Sequence, residues 1–319
     1  MSYLFLLLLH NKVSGALDCG QSSSGGLQVA YTITVDMSGK GNFSTIQSAI
    51  DHVPVDNSRW IRVQISSGVY REKVIIEEHK PCIFLEGAGN QFTSVEWNDH
   101  EDTRQSASFT SLAANTVVQG ITFKNTYINN GPLSLAKTKL TQAVAALILT
   151  RGQICFPPMC LLRGARYFVG CDWAISFTNA TSKVELISYL AMASLSQGRE
   201  SANDPRGFVF SNCQIKGSGK AYLGRAWRSY SRVIIANSDL SEIVVPEGWD
   251  ARNGKGQEAQ ITYVEANCSG PGADTSKRVP WMKKLSATDL TQFLNTSFID
   301  QEGWLFGVAK LLDVESFFV

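Results

Sequence analysis

Two stretches of the chain hold side chains that could do chemistry. In YFVGCDWAISFTNATS, residues 167 to 182, Asp172 is the one carboxylate, set between a cysteine and a tryptophan and flanked by apolar residues. A carboxyl group in a dry pocket can serve as a catalytic acid. The opposing reading is a surface or loop aspartate. In GSGKAYLGRAWRSYSRVII, residues 217 to 235, Arg225 and Trp227 stand two apart, so on an extended strand they share a face. A guanidinium pairs with a carboxylate and an indole stacks on a sugar ring, which suits a polyuronate. The pair suits equally an internal salt bridge beside a core tryptophan. GSGK is no phosphate loop, because the GxxxxGK[ST] spacing fails.

Such side chains need elements to position them. In VDMSGKGNFSTIQSAIDHVP a Gly/Ser turn leads to a cap at Ser44 or Thr45. Ile46, Ala49, Ile50 and Val53 then recur at helical spacing, predicting an amphipathic helix that ends at Val53 before Pro54. Beyond it run short β-rich segments punctuated by turns, among them IRVQI, KVIIEE, CIFLEG, TSVEW, TVVQGITFKN and AVAALIL, with GFVFSNCQI, SRVIIANSDL and AQITYVEANC later. Three end on asparagine in the same way: FKN at 123–125, FSN at 210–212 and IAN at 235–237. This weak repeat, at spacings of roughly 20 to 30 residues, predicts coils of a parallel β-helix, with a β-sandwich as the competing fold. A solenoid needs its ends covered. The first helix serves for one, and in SATDLTQFLNTSFID the residues Leu290, Phe293, Leu294 and Phe298 give a second short helix its apolar face.

A chain of 319 residues, 44% hydrophobic and 18% charged, can bury a large core as one large domain or two ordinary ones. With a net charge of +1 and no Lys/Arg block beside an amphipathic run, nucleic acid and membrane surfaces are poor partners. The apolar run Leu4 to Leu9, followed by small residues from Ser14 to Ala16, predicts a secretory signal over residues 1–18, although the usual preceding basic residue is missing. The run is too short to span a bilayer. Seven cysteines include no CxxC pair, and Cys155 and Cys160 lack companions for a zinc tetrahedron. Their odd number leaves at least one thiol unpaired within the chain. In a secreted chain the sequons at Asn42, Asn179, Asn267 and Asn295 are glycan acceptors.

Taken in order, VDMSGKGNFSTIQSAIDHVP, SGVYREKV, LEGAG, TQAVAAL, QGRESANDP, GFVFSNCQIKGSGKAYLGRAW, SRVIIANS, VPEGWD, VEANCSGPGADTSKRVPW and SFIDQEGWL resemble segments of plant-type pectinesterases (pectin methylesterases). The resemblance covers about residues 31–148 and 196–305. It implies an all-β fold: a right-handed parallel β-helix, a single-stranded solenoid with short capping helices, over residues 19–305, with an atypical tail at 306–319. It also implies a secreted, monomeric cell-wall protein that hydrolyses methyl esters of homogalacturonan (pectin), releasing methanol without metal or organic cofactor. A proteinaceous pectinesterase inhibitor is the second implied partner. In that family one aspartate attacks the ester carbonyl and another protonates the leaving methoxide, then activates water. Glutamines hold the oxyanion, and an arginine orients the nucleophile and keeps it ionised. Carried over, Gln142 matches the first oxyanion glutamine, Arg225 the arginine and Trp227 the substrate-stacking tryptophan. Gly68, Tyr70 and Glu72 of GVYRE match a further signature of architectural character.

The resemblance breaks between the two matching halves. Where the family has a G-Y-Q-D-T-L-type motif with its proton donor, this chain has LTRGQICFPPMCLLRGAR, without an acidic residue and with Gln153 as its one glutamine. The nucleophile motif D-F-I-F-G-N-A aligns in two ways. Anchored on FTNA it puts Ala174 at the nucleophile without a gap; anchored on Asp172 and Trp173 it keeps a carboxylate but inserts two residues. Two residues of strand displace a side chain by roughly 6.6 Å, far outside the tolerance for attack. Asp172 is nonetheless the only carboxylate between Asp102 and Glu185, and so the candidate nucleophile. Loss of two tandem motifs between intact flanks reads as one local event, such as a skipped exon or a shifted frame. The chain is therefore expected to be a pectinesterase with impaired catalysis, a non-catalytic pectin binder, or a chain whose coil stacking is broken. Paired carboxylates for a glycosidase and clustered acids for a calcium-assisted lyase are not visible around residues 140 to 230.

Overall fold

The computed structural model describes residues 19, 28–99, 105–127, 145–148, 154–156, 161–164, 168–171, 175–178, 183–187, 193–199, 201–204, 207–218 and 220–295, with the backbone alone at 148, 154–197, 217 and 218. Strand β1 (Val29–Val35) precedes helix α1 (Ile46–His52). Then follow β2 (Trp60–Ile65), β3 (Gly68–Tyr70), β4 (Val74–Ile76), β5 (Ile83–Gly87), β6 (Thr93–Trp97), β7 (Phe109–Ser111), β8 (Thr116–Gln119), β9 (Thr122–Asn125) and β10 (Ala146–Ile148). The middle strands are β11 (Ile154–Phe156), β12 (Leu161–Gly164), β13 (Phe168–Cys171), β14 (Ile175–Thr178), β15 (Lys183–Ile187) and β16 (Ala193–Gly198). Last come β17 (Phe208–Ser211), β18 (Gln214–Ser218), β19 (Ala221–Ala226), β20 (Arg232–Ala236), β21 (Asp239–Leu240), β22 (Trp249–Asp250), β23 (Thr262–Ala266) and helix α2 (Ala287–Leu294).

From β2 onward every third strand joins the same sheet. The first sheet has nine strands in the order β1-β2-β5-β8-β11-β14-β17-β20-β23; the second runs from β3 to β21 and the third from β4 to β22, seven strands each. Among the described residues all the strand pairings are parallel, as in Val63 beside Leu85 and Phe210 beside Ile235. This is the parallel β-helix expected from the sequence, with each coil lending one strand to each wall. The pairing continues through β10, β13 and β16, so the ladder of the third sheet is unbroken in the interval where the motifs are lost. The core lies inside the three walls, where Val63, Leu85, Phe109, Phe123, Phe208, Phe210 and Tyr263 are buried.

The asparagine repeat has a conformational cause. Asn212, Asn237 and Asn267 follow β17, β20 and β23 with φ of 55°, 51° and 52°, the left-handed region that asparagine tolerates better than most residues. Asn267 Nδ2 also donates to Asn237 Oδ1 at 3.3 Å. FKN differs: Asn125 belongs to β9 on the second sheet, and its Nδ2 donates to the carbonyls of Asp99 and Ser106. Position in the coil, invisible in a tripeptide, separates it from the other two.

Helix α1 starts and stops as its sequence predicts, with Thr45 as N-cap, Val53 as C-cap, and Ile46, Ala49 and Ile50 in the core. Both its ends meet charge of the favourable sign. Glu72 accepts the N–H groups of Ile46 at 2.8 Å and Gln47 at 2.9 Å, while Lys80 Nζ donates to the carbonyls of Ile50, Asp51 and Val53. Tyr70 is buried and donates to the Ser66 carbonyl at 3.1 Å, and Gly68 lies close to Met37. GVYRE thus fastens a helix. Helix α2 forms where expected, capped by Ser286, but Leu290, Phe293 and Leu294 pack against Val209, Ile234 and Val264. These belong to the outward face of the first sheet, so α2 closes a side wall; Phe298 lies outside the described residues.

Candidate functional site

Of the four residues singled out for chemistry, Arg225 and Trp227 are placed by the structure, whereas Gln142 and Asp172 lie outside the described residues, as do Gln153 and Ala174. Arg225 belongs to β19 on the third sheet, whose order from one edge is β22-β19-β16-β13-β10. The strand AVAAL feeds is β10, and the strand just before Asp172 is β13. The described strands nearest in sequence to the candidates, β10, β13 and β19, therefore share one wall of the solenoid.

The register of β19 contains an irregularity that aims its side chains. Tyr222 pairs with Ser194 and Arg225 with Ser196, so Leu223 and Gly224 together oppose a single residue of β16. Such a bulge breaks the two-residue alternation. Leu223 and Ala226 enter the core, while Tyr222 and Arg225, three apart, both face outward. The Arg225 guanidinium consequently lies 5.3 Å from the centre of the Tyr222 ring. The Tyr222 hydroxyl is pushed above its ordinary pKa first by burial, then by the nearby charges of Asp250 and Glu247, with Arg225 opposing. The strand ends at Ala226, one residue before Trp227. Trp227 is half-buried, and its carbonyl accepts from Asn253 Nδ2 at 3.1 Å. The bulge precedes Arg225, and Arg225 and Trp227 are half-buried on either side of the buried Ala226, where the strand ends.

The neighbour of Arg225 is Asp250 on β22. The two residues are register partners, and Arg225 Nε lies 3.2 Å from Asp250 Oδ2 with the side chains 14% and 24% exposed. The Nε–H is not aimed at that oxygen, and among the described residues the guanidinium makes no hydrogen bond. The attraction is that of close charges. Asp250 is fixed from its other side by the Arg252 N–H, which donates to Oδ1 at 2.9 Å. β13 lies beyond β16, two strand spacings or roughly 10 Å from β19. The strand occupying that place, Phe168–Cys171, carries no acidic residue.

Asp250 and Tyr222 were not among the residues the sequence singles out. Asp250 lies in VPEGWD and Tyr222 in AYLGRAW, both visible as motifs, but strand pairing brings them to Arg225 and the bulge decides which way Tyr222 faces. Behind β22, a buried network holds the position. Arg278 Nε and Nη2 donate to Glu265 Oε1 and Oε2 at 2.7 and 2.9 Å, and Trp249 Nε1 donates to Glu265 Oε1 at 2.9 Å. Next to the site, Arg199 is buried after β16, with Nε and Nη2 donating to the carbonyls of Ser201 and Ala202. Burial lowers its pKa, opposed by the charge of Asp204. Its role in QGRESANDP is to order the turn.

A wall of parallel coils bearing an outward arginine beside half-buried aromatic rings defines a parallel β-helix with a candidate site on one wall. The Pectinesterase family model matches residues 32–150 and 160–302, and its interruption falls in the interval where the motifs are missing. "Probable pectinesterase 55" of Arabidopsis thaliana is 41% identical over 300 residues, covering 86% of this chain and 90% of its own length. Among solved structures, pectin methylesterase from carrot aligns with a TM-score of 0.70 and 24% identity over 86% of this chain and 94% of that one. A pectin methylesterase in complex with a hexasaccharide aligns with a TM-score of 0.56 and 17% identity over 86% of this chain and 98% of that one. The chain belongs to the pectinesterase family, the carboxylic ester hydrolases that demethylesterify pectin.

Proposed function

We propose that the chain binds methyl-esterified homogalacturonan on the third sheet and has lost most of the family's ester hydrolysis. The carrying observation is the partner of Arg225. The residue matching the family's arginine is paired with Asp250 on the edge side, and the described strand on its other side beyond β16 bears no carboxylate. Loss of a nucleophile and a proton donor removes several powers of ten in rate. The hexasaccharide in the structurally similar pectin methylesterase supports a sugar polymer as ligand. Methanol release from pectin and binding to immobilised pectin, measured on one purified sample, test the reading. Binding without methanol is expected; turnover comparable to an ordinary pectinesterase overturns it.

A second reading, an active hydrolase using Asp172, is favoured by one observation: Cys171, just before it, pairs with Gly198 on the sheet that carries Arg225. Methanol release abolished by Asp172→Asn would establish it. A transcript carrying an intact Q-D-T-L segment across codons 149–180 would mean that the gene product keeps the motif, and would overturn the expected loss of activity.

Secretion to the cell wall is part of the proposal. It is supported by the disulfide between Cys19 and Cys82, a bond that persists in oxidising compartments. Among the described residues no helix is long and apolar enough to cross a membrane. Of the sequons, Asn42 is exposed and uses its Oδ1 to accept from Thr34, leaving Nδ2 for a glycan, whereas Asn267 donates its Nδ2 to Asn237. A monomer open to a proteinaceous pectinesterase inhibitor completes the reading, checked by light scattering with and without the inhibitor.

A further inference from the structure

We propose that Asp250 is a specificity-determining residue, which makes Arg225 accept a methyl-esterified uronate in preference to a free one. The inference rests on the pectin-binding reading and concerns the same site. Asp250 and Arg225 are register partners on adjacent strands, 3.2 Å apart, and sheltered enough that salt and water screen them incompletely. Their charges cancel at short range. Their hydrogen-bonding capacity does not, because the guanidinium donates no hydrogen bond to Asp250 or to any other described residue. Asp250 is held off by the Arg252 N–H on Oδ1, and the guanidinium rests beside the Tyr222 ring.

An arginine in this state offers donors without net charge. A neutral ester carbonyl or sugar hydroxyl can accept those donors at full value. A free carboxylate gains the same hydrogen bonds but meets the repulsion of Asp250, which offsets the attraction of Arg225. Without Asp250, the bare guanidinium would favour the carboxylate through charge-assisted, bidentate pairing. The ester preference therefore originates in a residue that need not touch the reacting group.

The test compares binding of highly methyl-esterified and fully de-esterified homogalacturonan oligomers to the wild-type chain and to Asp250→Asn by calorimetry. The affinity for the de-esterified oligomer is expected to rise about five-fold or more in Asp250→Asn, with little change for the esterified one and a steeper salt dependence. Asp250→Glu should keep the wild-type ratio, and Arg225→Met combined with Asp250→Asn should show no gain. An unchanged ratio in a folded Asp250→Asn overturns the inference. So does loss of the fold in both Asp250→Asn and Asp250→Ser while Asp250→Glu folds, which would make the residue a structural support. A wild-type chain that binds neither oligomer instead overturns the pectin reading itself.

Discussion

Replacing Arg278 by alanine should unfasten the wall that carries Asp250. The Arg278 and Glu265 side chains are only 3% and 2% exposed, and the guanidinium also donates to the carbonyls of Pro246 and Gly272. Arg278→Ala leaves a carboxylate in the interior with one remaining donor, Trp249 Nε1. Breaking a buried pair from one side costs about 3–5 kcal/mol, a large share of the roughly 5–15 kcal/mol that holds a domain together. For a chain of this length, that lowers the melting temperature by on the order of 10 °C. The loss should be local at first, because coils of a solenoid are stabilised by their neighbours. Hydrogen exchange should therefore speed up in β22 and β23 before β2 and β5. Thermal melts followed by circular dichroism, with exchange read by mass spectrometry, provide the assay. Glu265→Gln combined with Arg278→Met should recover part of the loss, since no charge is then stranded. A loss below about 1 kcal/mol in Arg278→Ala, or uniform exchange along the chain, would refute the reasoning.

Glu72→Ala exposes two N–H groups at the start of α1 and should cost about 1–2 kcal/mol in denaturant unfolding, with Glu72→Gln retaining part of the stability. The Cys213 thiol, pushed up to about 12 chiefly by burial, should resist iodoacetamide at pH 8 in the native chain and react once unfolded. Because its folded pKa is raised, its contribution to stability is fully present below the unfolded thiol's value and lost as pH rises toward about 12; Cys213→Ala should flatten that alkaline slope. In a secreting host, glycan mapping should find Asn42 occupied more fully than Asn267, and equal occupancy would remove the argument from the Asn237 contact.

Much of the scaffold was legible because its signals are local. Apolar runs, a capped helix before Pro54 and left-handed asparagines each answer to a few neighbouring residues, and together they give the coil. The site was legible in part. Arg225 and Trp227 stand in a strong motif, yet which carboxylate meets the arginine depends on strands 25 residues apart that the sequence does not show to be adjacent. The outward turn of Tyr222 follows from a bulge, two residues set against one, for which AYLGRA gives no sign beyond its glycine. The seat of α2 was obscure for a related reason. Its apolar face can be read from LTQFL, but Val209, Ile234 and Val264 that receive it alternate with core residues on strands that look the same from either side.

The unbroken pairing of β10, β13 and β16 has a consequence for how such a chain can change. Parallel coils meet through interchangeable edges, so length can be added or removed in whole turns without forcing the remainder out of register. An excision that would wreck a sandwich becomes here a change of bead number on a string. Heritable edits of that size can silence a reaction while keeping the rod, its girth and its surface for the polymer. A catalytic group in this architecture is thus separable in principle from the rod that carries it.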